Sequence, residues 1–187
     1  MLTSKQVLLD ELNHIGGYLV EVLKKELAAQ GHRASGKLER SIQSNVKHQG
    51  GDLTIDFSHE HYGTYVNTGV PAFRIPYSPG SGASTSKYIQ GLIRWVQLKG
   101  IAPGFAGAKR IAFAIARTHK KEGMPSKNSY TFSNNGRRTK WIDHPAQALG
   151  RTIQRKAEAA ISKAYDAEIA HMINLVSSKF PDSIKLL

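Results

Sequence analysis

The sequence predicts an α+β protein: an antiparallel sheet packed by an N-terminal helix and a long C-terminal helix, with two shorter central helices. Three observations carry that expectation. Leu8, Leu12, Ile15, Leu19, Val22, Leu23 and Leu27 recur mostly at steps of three and four, the period of one helix face. Leu53, Ile55 and Phe57 alternate with Asp52, Thr54 and Asp56, the period of a half-buried strand. From Pro145 to about Ser178 the apolar residues again keep a helical repeat.

Taken in order, the elements start with Thr3. It can cap the first helix, with Gln6 at capping-box spacing, and Gly31 can end it. Gly16-Gly17, mid-helix, costs roughly 1 kcal/mol per glycine relative to Ala, so a bend or a close-packed backbone is expected there. Gln49-Gly50-Gly51 is a hairpin signal between Ile42–His48 and Asp52–Ser58. Tyr62–Asn67 reads as a third strand or a short helical turn. Ile89, Leu92, Ile93 and Val96 give one central helix, closed by Gly100. Ala108, Ile111, Ala112, Ile115 and Ala116 give the other, closed by Gly123 with Pro125 beyond. Its small residues predict tight packing. Asn134-Asn135-Gly136, between "SYTFS" and "RRTKWI", reads as a second hairpin turn. Pro145 suits the first position of the last helix. At about 33 residues that helix would be roughly 50 Å long, more than a domain this size spans, so part of it is expected to pack on another subunit. The organisation expected is a single domain over 1–187, with an extended loop at about 71–86 and the long helix at about 145–178.

Composition narrows the function. The chain has 187 residues, 40% of them apolar, and no cysteine. A disulfide framework and a Cys-ligated zinc site are excluded. No apolar run approaches the ~18 residues of a membrane span, and the acids within the first apolar pattern do not suit a signal peptide. The protein reads as soluble. Its net charge of +12 is uneven. Residues 61–163 hold 17 Lys/Arg against three Asp/Glu, whereas 1–60 hold seven against eight and 164–187 two against three. A field of one sign attracts polyanions or acidic protein surfaces.

No catalytic pattern stands out. "HYGTYVNTGVPAFRIPYSPGSGASTSK" (61–87) holds four glycines and no acid. However, Ser86 precedes Lys87 where a phosphate loop needs glycine, and Tyr88 follows where it needs Ser or Thr. His59 and His61 lack a signalled third ligand. Asp52, Asp56 and Glu60, near Lys47, have strand spacing that leaves them on one solvated face. There is no nucleophile elbow, and no small nucleic-acid module is recognisable. The basic runs Lys109-Arg110, Lys120-Lys121, Arg137-Arg138-Thr139-Lys140 and Arg151 with Arg155-Lys156 suit phosphate contact without base readout.

Several phrases in sequence carry a family likeness. "SGKLERSI" follows the first helix, then "HYGTYVNTGV", then "LIRWVQLKGI", then "IAFAIARTHKKEGMPS", with a long helix closing the chain. Over roughly residues 1–178 this order resembles the tailed-bacteriophage neck and tail-completion proteins, the small head–tail joining components of the virion. The insertion at Pro71–Ser86 and the length around Asn134–Gly136 depart from the simplest members. The resemblance implies a structural protein, not an enzyme, with no cofactor and no metal. It implies a homo-oligomeric ring of six or twelve subunits around the DNA channel, made in the host cytoplasm and built into the virion. Portal, adaptor or tail proteins and the passing genomic DNA are its implied partners, with no membrane involved. Arg137, Arg138, Lys140, Arg151 and Arg155 are then candidates for DNA-facing or inter-ring charge. Tyr62, Tyr65, Phe73 and Tyr77 are candidates for subunit contact, with Pro71–Ser86 expected to be an exposed arm ordered by neighbours. The alternative reading is a soluble DNA-binding or packaging-accessory protein.

Overall fold

The computed structural model describes residues 3–50, 52–80 and 86–179. It is an α+β structure, mostly helical, with one two-stranded antiparallel sheet. The chain divides into two compact units. One comprises residues 1–22, 43–58 and 146–187; the other comprises 23–42 and 59–145. Helix α1 (Ser4–Ala29) and helix α6 (Asp143–Lys179) each contribute to both.

The first unit is a helix on a hairpin with a second helix alongside. The Thr3 Oγ1 accepts the Gln6 N–H at 3.3 Å, capping α1 as the sequence predicts. Strands β1 (Gln43–Gln49) and β2 (Asp52–Ser58) pair with Val46 opposite Ile55 and Gln49 opposite Asp52. Ser44, Val46, Leu53 and Ile55 are half-buried, and their neighbours along each strand are exposed. Phe57, at the strand end, stays 40% exposed. Gly16 explains itself here: a Cβ on it would lie 2.8 Å from the Ser44 Oγ. The missing side chain lets α1 sit down on the hairpin. Gly17 meets nothing within 4 Å.

Helix α6 lies antiparallel to α1. Lys156 sits over the Tyr18 ring at 4.9 Å, and Lys163 pairs with Glu11. Ala160 and Ala164 are buried. The helix runs unbroken through Gly150 and Ser162, and it begins two residues before Pro145. The proline falls within the first turn, where its missing N–H costs nothing.

The second unit is built on two central helices, α4 (Lys87–Leu98) and α5 (Gly104–Glu122). Ser86 caps α4, its Oγ accepting the Ile89 N–H at 3.2 Å. Ile89, Ile93 and Val96 of α4 and Ala108, Ala112 and Ala116 of α5 form one buried cluster. The alanines recur every four residues and are fully buried, so the two backbones approach closely along one ridge. Two short helices, α2 (Lys37–Ser41) and α3 (Tyr62–Thr68), and 3₁₀ turns at Ala72–Arg74 and Lys127–Phe132 complete the unit. The Tyr62–Asn67 stretch is therefore a helix, not a strand.

Two expectations are corrected. The Asn134–Gly136 region makes no hairpin, and no strand occurs between 127 and 142. Local side chains take the backbone donors instead. The Ser133 Oγ accepts from the Arg137 N–H at 3.0 Å and from the Asn135 N–H at 3.3 Å, while the Asn135 Oδ1 accepts the Arg137 N–H at 3.1 Å. Ser and Asn compete with a ladder in this way. The loop at 71–86 is likewise not simply an exposed arm. Ile75 and Tyr77 are buried in the α4–α5 cluster. The Tyr77 ring lies 6.3 Å from that of Phe113, and the Lys120 Nζ donates to the Ile75 carbonyl at 3.2 Å. The short extended stretch 75–77 turns alternate residues inward, with Pro76 outward. This straps the loop onto α5, and Tyr77 is a core residue, not a free contact. Residues 81–85 lie outside the described residues.

Candidate interaction site

The phrase "HYGTYVNTGV" is a structural staple. Trp141 is fully buried, and its Nε1–H donates to the Gly63 carbonyl at 3.0 Å. His59 packs edge-on against the Trp141 ring at 5.4 Å. Gly63 has no room for a side chain: a Cβ there would lie 2.7 Å from the His59 Nδ1 and 2.8 Å from the Leu38 Cδ1. Asn67, also buried, joins the same loop three ways. Its Oδ1 accepts the Ile142 N–H at 2.9 Å, its Nδ2 donates to Asp143 at 2.9 Å, and its carbonyl accepts the Lys140 N–H at 2.7 Å. Beyond it, Val70 and Met124 exchange backbone hydrogen bonds at 2.7 Å.

A second lacing closes the other side of the unit. The Arg138 Nη1 donates to the Gln30 carbonyl at 2.7 Å, and the Gln30 Nε2 donates to the Thr139 carbonyl at 3.0 Å. The His32 Nε2 lies 3.1 Å from the Arg138 carbonyl. That acceptor places the His32 proton on Nε2. Burial, with the Arg138 charge second, holds the His32 pKa down to about 4. The imidazole is therefore neutral near pH 7.

Between these lacings and the central helices lies an apolar groove of about 830 Å³. Tyr62, Tyr65 and Val66 of α3 form one wall. Trp95 of α4, Ile111 and Ile115 of α5, and Phe132 are among the others. His32, Lys99, His119 and Arg138 reach it as polar groups, and no acidic residue lines it. The Tyr88 hydroxyl is 2.8 Å from the His119 Nδ1. Burial lowers the His119 pKa and raises that of Tyr88 to about 12. Several large apolar side chains around this unit stand in solvent, with Phe73 77% and Phe132 74% exposed.

The charge candidates divide between the two units. Arg137 is partly exposed, and its guanidinium lies 3.9 Å from Glu26. Arg138 is engaged internally: burial lowers its pKa, and its Nε is buried without a hydrogen-bond partner. Lys140 is exposed at φ 59°. Arg151 and Arg155 are exposed one turn apart on α6, in the other unit. Among the contact candidates, Tyr62 and Tyr65 are exposed on α3 and line the groove, Phe73 is exposed, and Tyr77 is in the core.

The residues weighed for chemistry are occupied or apart. Lys47 pairs with Asp56 across the hairpin, and Lys37 pairs with Glu60 at 2.9 Å in the other unit. His61 packs against Tyr65 at 5.7 Å, away from the His59–Trp141 contact. Among the described residues no three His, Asp or Glu side chains are grouped to hold a metal ion, and no helix is long and apolar enough to cross a membrane. Trp141 and Asn67 were not legible as key positions. A lone tryptophan beside a basic run carries no spacing signal, and a buried asparagine looks like any loop residue. No family model, curated protein or solved structure matches this chain.

Proposed function

We propose that this protein is a structural subunit of a tailed-bacteriophage virion, a ring-forming neck or tail-completion component that joins the portal side of the head to the tail. The observation that carries the reading is the surface of the second unit. An apolar groove bordered by Lys99 and Arg138, with no acid in its lining, opens on a unit whose sequence holds 18 Lys/Arg against five Asp/Glu. Tyr62, Tyr65, Phe73 and Phe132 stand exposed on that unit. Exposed aromatic side chains on a strongly basic unit suit a protein–protein contact surface. Surplus positive charge suits an acidic neighbouring ring or DNA that must slide past without base readout. The order of sequence phrases supplies the family context.

Tyr62, Tyr65 and Phe73 are the subunit-contact candidates that remain accessible. Arg137, Lys140, Arg151 and Arg155 are exposed to meet DNA or a neighbouring ring, whereas Arg138 serves its own unit. Native mass spectrometry and electron microscopy of the purified protein, alone and with portal and tail components, test the reading. A closed ring, or incorporation at the head–tail junction, is the expected result. A protein that stays monomeric and joins neither component would remove it. The high charge of the second unit also favours the alternative, a soluble DNA-binding or packaging-accessory protein. That reading expects duplex binding by the isolated chain that falls steeply with salt.

A further inference from the structure

We infer that the outer half of α6 is the surface through which one copy of this chain binds a second. The inference goes beyond the proposed function, whose subunit-contact candidates Tyr62, Tyr65 and Phe73 lie in the second unit, whereas this surface lies in the first.

The geometry of the first unit sets α6 apart. Lys156 meets Tyr18 and Lys163 meets Glu11, a step of seven on both helices in opposite directions. Continued at that register, Ser4, where α1 begins, falls opposite Ala170. Residues 171–179 therefore run about 13 Å past the start of α1 at 1.5 Å per residue. The face turned to α1 is marked by Ala160 and Ala164, both buried, and by half-buried Ala167. Tyr165, Ile169, Met172 and Val176 lie about 140° round the helix from that face, at 100° per residue. They form a second apolar face with nothing of α1 against it.

That face has the size and pattern of a helix–helix seam. Tyr165, Ile169, Met172 and Val176 follow steps of four, three and four, the spacing of core positions in a coiled coil. Ile161, Ile173 and Leu175 flank it, and all seven side chains are between 45% and 68% exposed. At about 100 Å² each they present on the order of 700 Å². That exceeds the ~300–600 Å² of the largest patch on a typical monomer and approaches the ~800 Å² that each partner buries in a standard interface. Charge also permits self-pairing. In a parallel pair the flanking acids Asp166 and Glu168 would face Ile161 and Ile173 of the other copy, so no like charges oppose across the seam. Apolar flanks beside the core positions favour bundles of more than two helices, because they are buried only when further copies are added.

The test uses the full chain. Sedimentation velocity across a concentration series compares wild type with an Ile169→Lys/Val176→Lys variant, and circular dichroism checks that helix content is retained. Because the chain has no cysteine, Met172→Cys supplies a single thiol for a short bis-maleimide, with exposed Thr54→Cys as control. The expected result is reversible self-association of wild type, weakened about tenfold or more in the double-lysine variant, and cross-linking through residue 172 but not 54. The inference is overturned if the variant associates as wild type does, or if wild type remains a single copy at high micromolar concentration. A single-copy wild type that still joins portal or tail components would overturn this inference and keep the virion reading. Self-association through residue 172 that closes no ring, in a chain that joins neither component, would keep this inference and count against the virion reading.

Discussion

The two units of this chain bury their interiors by different means and carry different charge. The first holds eight Lys/Arg against nine Asp/Glu, and the second 18 against five, so net charges of −1 and +13 make up the +12 of the whole. The first is a hairpin covered by one helix, with a second helix whose outer half carries an exposed apolar face. The second has a closed core of isoleucine, valine and alanine, laced by Trp141, Asn67, Gln30 and Arg138. The contrast teaches that one sequence can finish its two units differently. Polar lacing fixes the second unit internally, while α6 of the first keeps a continuous apolar face in solvent.

The largest break in that comparison should come from Trp141→Ala. Its side chain is fully buried and its N–H is bonded to Gly63. Removal should cost about 3–5 kcal/mol. Hydrogen exchange on the full chain should then show protection falling in 59–80 and 127–142 while the 43–58 hairpin keeps its own.

Acid should separate the units next. His32 is held to about 4 in the folded chain, below its ordinary 6.5. Above pH 6.5 both folded and unfolded states are neutral there, and stability is full. As pH falls from 6.5 through 4 the unfolded chain takes up the proton first, so the second unit loses stability, by up to about 3 kcal/mol. His119, also lowered, acts in the same direction. Denaturant midpoints measured between pH 7 and 4 should drop, and His32→Gln should flatten that slope without abolishing it.

A smaller loss, about 1–3 kcal/mol, is expected for Asn67→Ala. It strands the half-buried Ile142 N–H and removes the hydrogen bond to Asp143 that Asn67 now makes. Chemical denaturation would show it, and a change indistinguishable from zero would mean that water replaces the amide. The smallest effect sharpens the comparison from the other side. Ile173→Gln, on the exposed α6 face, should move the melting free energy of the isolated protein by no more than about 0.5 kcal/mol.

Much of the fold was legible because its signals are local. The Thr3 cap, the Gly50 turn, the alternation of Leu53 and Ile55, and the Ala108–Ala116 ridge each depend on residues within a turn or two of one another. The hairpin at Asn134–Gly136 was misread because that turn sequence serves equally for a strand pair and for a Ser/Asn-bonded loop. The choice rests on whether partners such as Gln30 and Asn67, distant in sequence, claim the flanking backbone. Of the candidate contact residues, Tyr62, Tyr65 and Phe73 emerged exposed. Tyr77 did not, because the alternation of Ile75 and Tyr77 about Pro76 happens to match the surface of α5.

The sequence by itself determined most of the longer elements, the α+β class and the uneven charge, since periodicity, capping residues and side-chain charge are properties of neighbours along the chain. Only the tertiary structure decided which of those residues are spent internally. Long-range packing turned "HYGTYVNTGV" into a seat for Trp141, drew Arg138 onto Gln30 and His32, and left the outer face of α6 in solvent. Those outcomes depend on which surfaces meet when the chain closes, and no local pattern encodes the meeting.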